Sequence, residues 1–171
     1  MKINTKSTLT AAMLTALAVS LSTFAIPIGA SKCFPIQHLC NVIAGVFLGP
    51  GYGVAMAFCT SLIRNLIGTG SPLAFPGSMV GAFLCGFLYQ HTGKLAAAYF
   101  GEVFGTGIIG GLLCYPVATL LMGQEAALFA YVIPFLISTA GGTVMAMILV
   151  GALYQSGAMS YLKGALGGTA R

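Results

Sequence analysis

The stretch from Leu95 to Met122 reads LAAAYFGEVFGTGIIGGLLCYPVATLLM. It holds one charged side chain, Glu102, in 28 residues. Crossing the hydrocarbon core of a bilayer takes roughly 20 apolar residues in a helix. This run has the length and the apolar character, and its continuous hydrophobicity is unlike the alternation of a barrel strand. Pro116 interrupts it, because proline lacks the backbone donor that a helix interior requires. The run therefore predicts a membrane-spanning helix with a kink near residue 116.

The rest of the chain agrees with that reading. Seven Lys or Arg and two Asp or Glu are the only formal charges in 171 residues, or 5%, against 58% hydrophobic. Soluble domains carry about 25% charged residues. A water-soluble globular fold is excluded by these numbers, and so is intrinsic disorder. The basic residues are too few and too scattered to track a phosphate backbone, which argues against a nucleic-acid partner. Five cysteines, Cys33, Cys40, Cys59, Cys85 and Cys114, form no C-x-x-C pair and read as small hydrophobes.

Apolar runs at 9–28, 36–48, 52–67, 77–89, 95–122 and 127–154 predict a single domain, an all-α polytopic membrane protein with six transmembrane helices. Residues 155–171 are read as a cytoplasmic tail. The first run has the basic start of a secretory signal, but Pro27 between Ile26 and Ile28 makes a poor cleavage site, so it is read as a retained span. Placing Lys2, Lys6, Lys94, Lys163 and Arg171 inside, and Lys32, Arg64 and Glu125 outside, satisfies the positive-inside rule with both termini cytoplasmic.

Helices in a bilayer associate through close contact at small residues one turn apart. Ala12-x-x-x-Ala16-x-x-x-Ser20 marks one face of the first helix, and Gly77-x-x-x-Gly81 and Gly101-x-x-x-Gly105 recur later. The glycine pairs read as packing within the chain; the Ala12/Ala16 face, on a terminal helix, is a candidate partner surface. Polar residues at depth are costly and face a cavity or a partner. Gln37, His38 and Asn41 share a helix face, as spacings of three and four dictate. Thr60, Ser61, Arg64 and Asn65 gather at one end of the third run, Glu102 and Thr106 lie one turn apart, and Ser138 and Thr139 lie in the sixth. Glu102 is the single acid within a predicted span. It reads as a ligand-facing acceptor, as half of a structural ion pair for which Arg64 is a candidate, or as a neutral buried acid. No serine triad, H-E-x-x-H or phosphate loop is present, so the chain is read as a binder and not an enzyme, with no cofactor and no metal.

Several stretches carry a resemblance. Ser7-Thr8-Leu9-Thr10-Ala11-Ala12-Met13-Leu14-Thr15-Ala16-Leu17 resembles the first helix of the substrate-binding S components of energy-coupling factor (ECF) vitamin transporters. Ile26-Pro27-Ile28-Gly29 through Lys32-Cys33-Phe34-Pro35-Ile36-Gln37-His38 is similar to the thiazole-related S component family ThiW. So are Arg64-Asn65-Leu66-Ile67-Gly68-Thr69-Gly70 through Ala74-Phe75-Pro76-Gly77-Ser78-Met79, and Gly101-Glu102-Val103-Phe104-Gly105-Thr106-Gly107-Ile108-Ile109-Gly110 with Tyr115-Pro116. The resemblance implies a multi-pass protein of a prokaryotic plasma membrane that captures a thiamine precursor, hydroxyethylthiazole, from outside. It implies a pocket closed by the loops after helices one and three. It also implies partners: a transmembrane T component docking on Ala12 and Ala16, and two ATPase subunits that supply the energy. For such a small aromatic ligand, Gln37, His38, Asn41, Arg64, Asn65, Glu102, Thr106 and Ser138 are the candidate polar contacts, with Phe34 or Phe75 stacking on the ring. Arg64 and Lys32 leave room for a phosphorylated or carboxylated thiazole. Alternatives are a stand-alone facilitator, a small membrane enzyme, or an S component for another vitamin.

Overall fold

The computed structural model describes residues 4–28, 31–125 and 127–166, with the side chains of residues 27–32 outside that description. The chain is helical apart from one short hairpin. Helix α1 spans Thr5–Ser20, and strands β1 (Ile26–Ile28) and β2 (Ser31–Cys33) follow it. Then come α2 (Pro35–Leu48), α3 (Pro50–Leu66) and α4 (Ala74–Thr92). A long composite helix α5 runs Leu95–Leu121. Helix α6 (Val132–Gln155) and a short α7 (Ala158–Ala165) complete the chain.

Local chemistry sets these boundaries. The Asn4 side chain caps α1 by accepting from the Lys6 amide at 3.0 Å. The first apolar run is helical only to Ser20 and not to residue 28. A single 3-10 turn, Leu21–Thr23, ends it, and Ile26 then pairs antiparallel with Cys33. Proline opens both α2 and α3, where the missing donor costs nothing. Between them Gly49, at φ +86°, makes the reversal that a residue with a Cβ resists. The sixth run becomes helical at Val132, five residues later than its apolar start. Residues 158–165, read from sequence as tail, form a helix of their own after Gly157 at φ +72°.

Near Pro116, where the sequence predicts a kink, α5 changes its hydrogen-bond register instead of stopping. Val117–Leu121 is π-helical, with the Met122 amide reaching the Val117 carbonyl at 3.2 Å. A second π-helical stretch, Val103–Gly110, lies directly after Glu102. Such i→i+5 turns cluster at functional sites.

Helix α2 is the centre of the molecule, in contact with α1, α3, α4, α5 and α6. Cys40, Val42, Ala44 and Val46 on it are fully buried, as a helix packed on all sides should be. Its 14 residues rise only about 21 Å. Helices α4 and α5 meet through glycine: a Cβ on Gly105 would lie 2.9 Å from the Gly81 Cα. The outside is apolar, with Leu120, Ile133 and Ile148 each at least two-thirds exposed, while Arg64, Glu102, Asn41, Thr60, Thr106 and Thr139 are inside. That inversion fits a lipid environment and would be costly in water. Helices α5 and α6 are long and apolar enough to cross a membrane.

Candidate functional site

Five elements bring their ends together: the start of α2, the end of α3, the start of α4, the end of α5 and the start of α6. These ends lie opposite the start of α1 and the end of α7, where Asn4 meets Leu166. They enclose a cavity of about 860 Å³, within the range of small-molecule pockets. Its wall includes Phe34, Gln37, His38, Arg64, Ser78 and Ser138, and its mouth is formed by the α3–α4 and α5–α6 loops.

Beneath the wall a polar chain crosses four helices. Arg64 Nη1 donates to Gln37 Oε1, and Arg64 Nη2 donates to the Thr69 carbonyl at 3.3 Å. Gln37 Nε2 donates to Ser78 Oγ at 2.8 Å and to Ser61 Oγ at 3.3 Å. Asn41 Nδ2 reaches Ser78 Oγ at 3.2 Å and Glu102 Oε1 at 3.0 Å. Glu102 Oε1 also accepts from Thr106 Oγ1 at 3.1 Å and from His38 Nδ1 at 3.0 Å. Glu102 is fully buried, and among the described residues this His38 contact is the one place where a carboxylate lies within ion-pair distance of a basic side chain. A carboxylate oxygen accepts, so Nδ1 carries the hydrogen of His38. That tautomer leaves Nε2 as the free acceptor on a ring that lines the cavity. The Glu102 carboxylate thus fixes the ring from behind, and α6 adds a brace through Thr139 Oγ1 to the Glu102 carbonyl at 3.4 Å.

The sequence-predicted residues fall into three groups. Phe34, Gln37, His38, Arg64 and Ser138 line the cavity. Asn41, Glu102 and Thr106 form its buried support. Asn65 and Phe75 stand apart: Asn65 Nδ2 ties the α3–α4 loop through the Ser71 carbonyl at 3.0 Å, and Phe75 packs on Phe58 with ring centroids 5.6 Å apart. One face of Phe34 is occupied by the Arg64 guanidinium, 3.7 Å from the ring centroid, and its backbone amide donates to Ser138 Oγ at 2.9 Å. Glu102 meets His38, not Arg64; the ion pair considered from sequence does not form, because α2 stands between α3 and α5 at this level. The Lys32 side chain lies outside the described residues.

Sequence reasoning missed the mouth. Gln124, Glu125 and Tyr131, with Phe135 on α6, line the same cavity. They belong to a loop without a motif; the polar triplet Gly123-Gln124-Glu125 was its one signal. Gly68 at φ +77° folds the other loop back, so that the Thr69 and Gly70 amides both donate to the Arg64 carbonyl at 2.9 Å.

Among the described residues no group of three or more His, Cys, Asp or Glu is placed to hold a metal ion. Burial pushes the Cys33 thiol up from its ordinary value, partly opposed by a hydrogen bond with the Ser138 side chain. The thiol donates to the Pro134 carbonyl at 3.5 Å. The arrangement is therefore equipped to bind and orient a small ligand. The exposed face of α1 carries Ala12 and Ala16, flanked by Leu9 and Met13, while Ala11, Thr15 and Ala18 pack inward.

Comparison with known proteins gives one family. The model described as thiamine-precursor transporter protein (ThiW) matches residues 8–156. No curated protein and no solved structure matches the chain.

Proposed function

We propose, since the chain belongs to the ThiW family of thiamine-precursor transporters, that it is the substrate-binding S component of an ECF-type transporter and captures hydroxyethylthiazole for uptake. Six helices, α1 to α6, span the membrane with both termini cytoplasmic, and the cavity opens outward. The observation that carries this reading is the position of the cavity, at the end of the bundle opposite Asn4 and Leu166. Lys6, Lys94 and Lys163 lie at the terminal end, as the positive-inside rule asks of the cytoplasmic side. The exposed Ala12/Ala16 face gives a T component a flat surface for close approach. Energy comes from the two ATPases of that assembly, since the chain has no nucleotide-binding loop of its own.

In the cavity the thiazole lies against Phe135 and the free face of Phe34, and its hydroxyl donates to His38 Nε2. Glu102 and Asn41 act through His38 and do not touch the ligand. Titration of the purified protein with labelled hydroxyethylthiazole tests the reading: saturable binding is expected. Absent binding, alongside tight binding of a different vitamin, would overturn the assignment of ligand. Uptake persisting in vesicles without any T component or ATPase would overturn the S-component role.

A further inference from the structure

The cavity wall contains a buried cation without a counter-charge. Arg64 is 1% exposed. The whole chain has two acids, and neither is within ion-pair distance of the guanidinium: Glu102 accepts from His38, Asn41 and Thr106, and Glu125 stands at the mouth. What Arg64 does contact is neutral. Nη1 is satisfied by an amide oxygen, Nη2 by a backbone carbonyl and the flat face by Phe34, while Nε has no partner at all. Guanidinium stays protonated in proteins, and burying a charge is costly unless an opposite charge joins it. The site therefore holds this cation ready in a cavity far larger than hydroxyethylthiazole, a ligand of nine non-hydrogen atoms, requires.

We infer that the missing counter-charge is supplied by the ligand: the cavity takes the thiazole in an anionic form, its oxyanion on Arg64. The inference rests on the thiamine-precursor reading and narrows it. The two forms that fit are a phosphate monoester of the hydroxyethyl group and a carboxylate in its place. Both present oxygens to the planar donor fork, whose Nε is buried and has no acceptor in the protein. Phe34 holds the guanidinium plane in position, and the Gln37 contact keeps one edge fixed. Hydrogen bonds to charged groups set the size of the effect, about 10- to 100-fold in affinity between anion and alcohol.

The experiment is calorimetric titration of the detergent-purified protein with three compounds: hydroxyethylthiazole, its phosphate ester, and the thiazole carrying a carboxylate instead of the hydroxyl. One or both anions are expected to bind at least tenfold tighter than the alcohol, and the stronger of the two identifies the form. Arg64→Gln should erase that preference, bringing the anions to the level of the alcohol. Arg64→Lys, which keeps the charge and loses the fork, should retain part of it. If the unmodified protein binds the alcohol as tightly as both anions, the inference is overturned and the thiazole reading stands. If none of the three binds, both fall together.

Discussion

Glu102 shows how one residue organises a site it does not line. Three donors, from His38, Asn41 and Thr106, end on its Oε1. Glu102→Ala leaves His38 Nδ1 without an acceptor, while Asn41 falls back on Ser78 and Thr106 on the Gly77 carbonyl, and a buried donor left unsatisfied costs about 1–3 kcal/mol. We expect a markedly lower melting temperature in detergent, followed by circular dichroism. Glu102→Gln, which keeps an acceptor oxygen, should lose less; equal losses for the two would refute this account of the network. Asn41→Ala should weaken thiazole binding by about tenfold through one lost hydrogen bond to a charged group, since it loosens Glu102 and with it the His38 ring. Unaltered binding in that variant would mean the ring is held by other means. The sequence made these residues visible through rarity: an acid, an arginine and three polar groups at helical spacing stand out in an apolar chain. It could not pair them. Which donor meets Glu102 depends on the stacking of α2 between α3 and α5, and no spacing within a single helix encodes that. Glu125 was invisible for the opposite reason, since a charged loop residue is ordinary until the loop is seen folded over a mouth.

At the scale of elements, the position of Glu102 depends on the closeness of α4 and α5. A Cβ at Gly81 would fall 2.9 Å from Glu102 Oε2 and against the Thr106 hydroxyl. Gly81→Ala should therefore destabilise by about 1–3 kcal/mol, the usual cost of overpacking, and should reduce ligand affinity with it. The control is Gly151→Ala, where nothing lies within 4 Å of the added methyl; a thermal melt that ranks the two alike would contradict the packing argument. The glycine pairs, the apolar runs and most breaks were legible because they follow from bilayer thickness and turn chemistry. The end of α1 at Ser20 was not: residues 21–28 are as apolar as the helix before them, and only pairing with Ser31–Cys33 turns their last part into a strand. The π-helical wall after Glu102 has no sequence signature that periodicity detects.

For the whole molecule, polar and apolar surfaces are sorted by purpose. Lipid-facing Leu and Ile cover the outside, and the exposed stripe of Ala12 and Ala16 interrupts them on α1 with side chains too small to hold a neighbour away. Trp at Ala12 or Ala16 should abolish co-purification with a T component and leave thiazole titration unchanged. Loss of both would place the fault in the folding of α1 and remove the docking assignment. The cavity at one end of the bundle was not legible in the sequence, because it required the converging helix ends to be seen.

The contact between Asn4 and the far end of the chain has a consequence for how the protein is made. Asn4 Nδ2 donates to the Leu166 carbonyl at 2.9 Å across 162 residues of separation, and Lys163 Nζ reaches the Tyr89 hydroxyl at 2.6 Å. A ribosome adding about 5 to 20 residues per second delivers the partner of Asn4 roughly 8 to 32 s after Asn4 itself. During that interval α1 is held in the membrane by its apolar flanks and by α2 and α3 alone. Closure of the two ends must therefore wait for α7, and protection of the N-terminal segment from protease should appear only once α7 has left the ribosome.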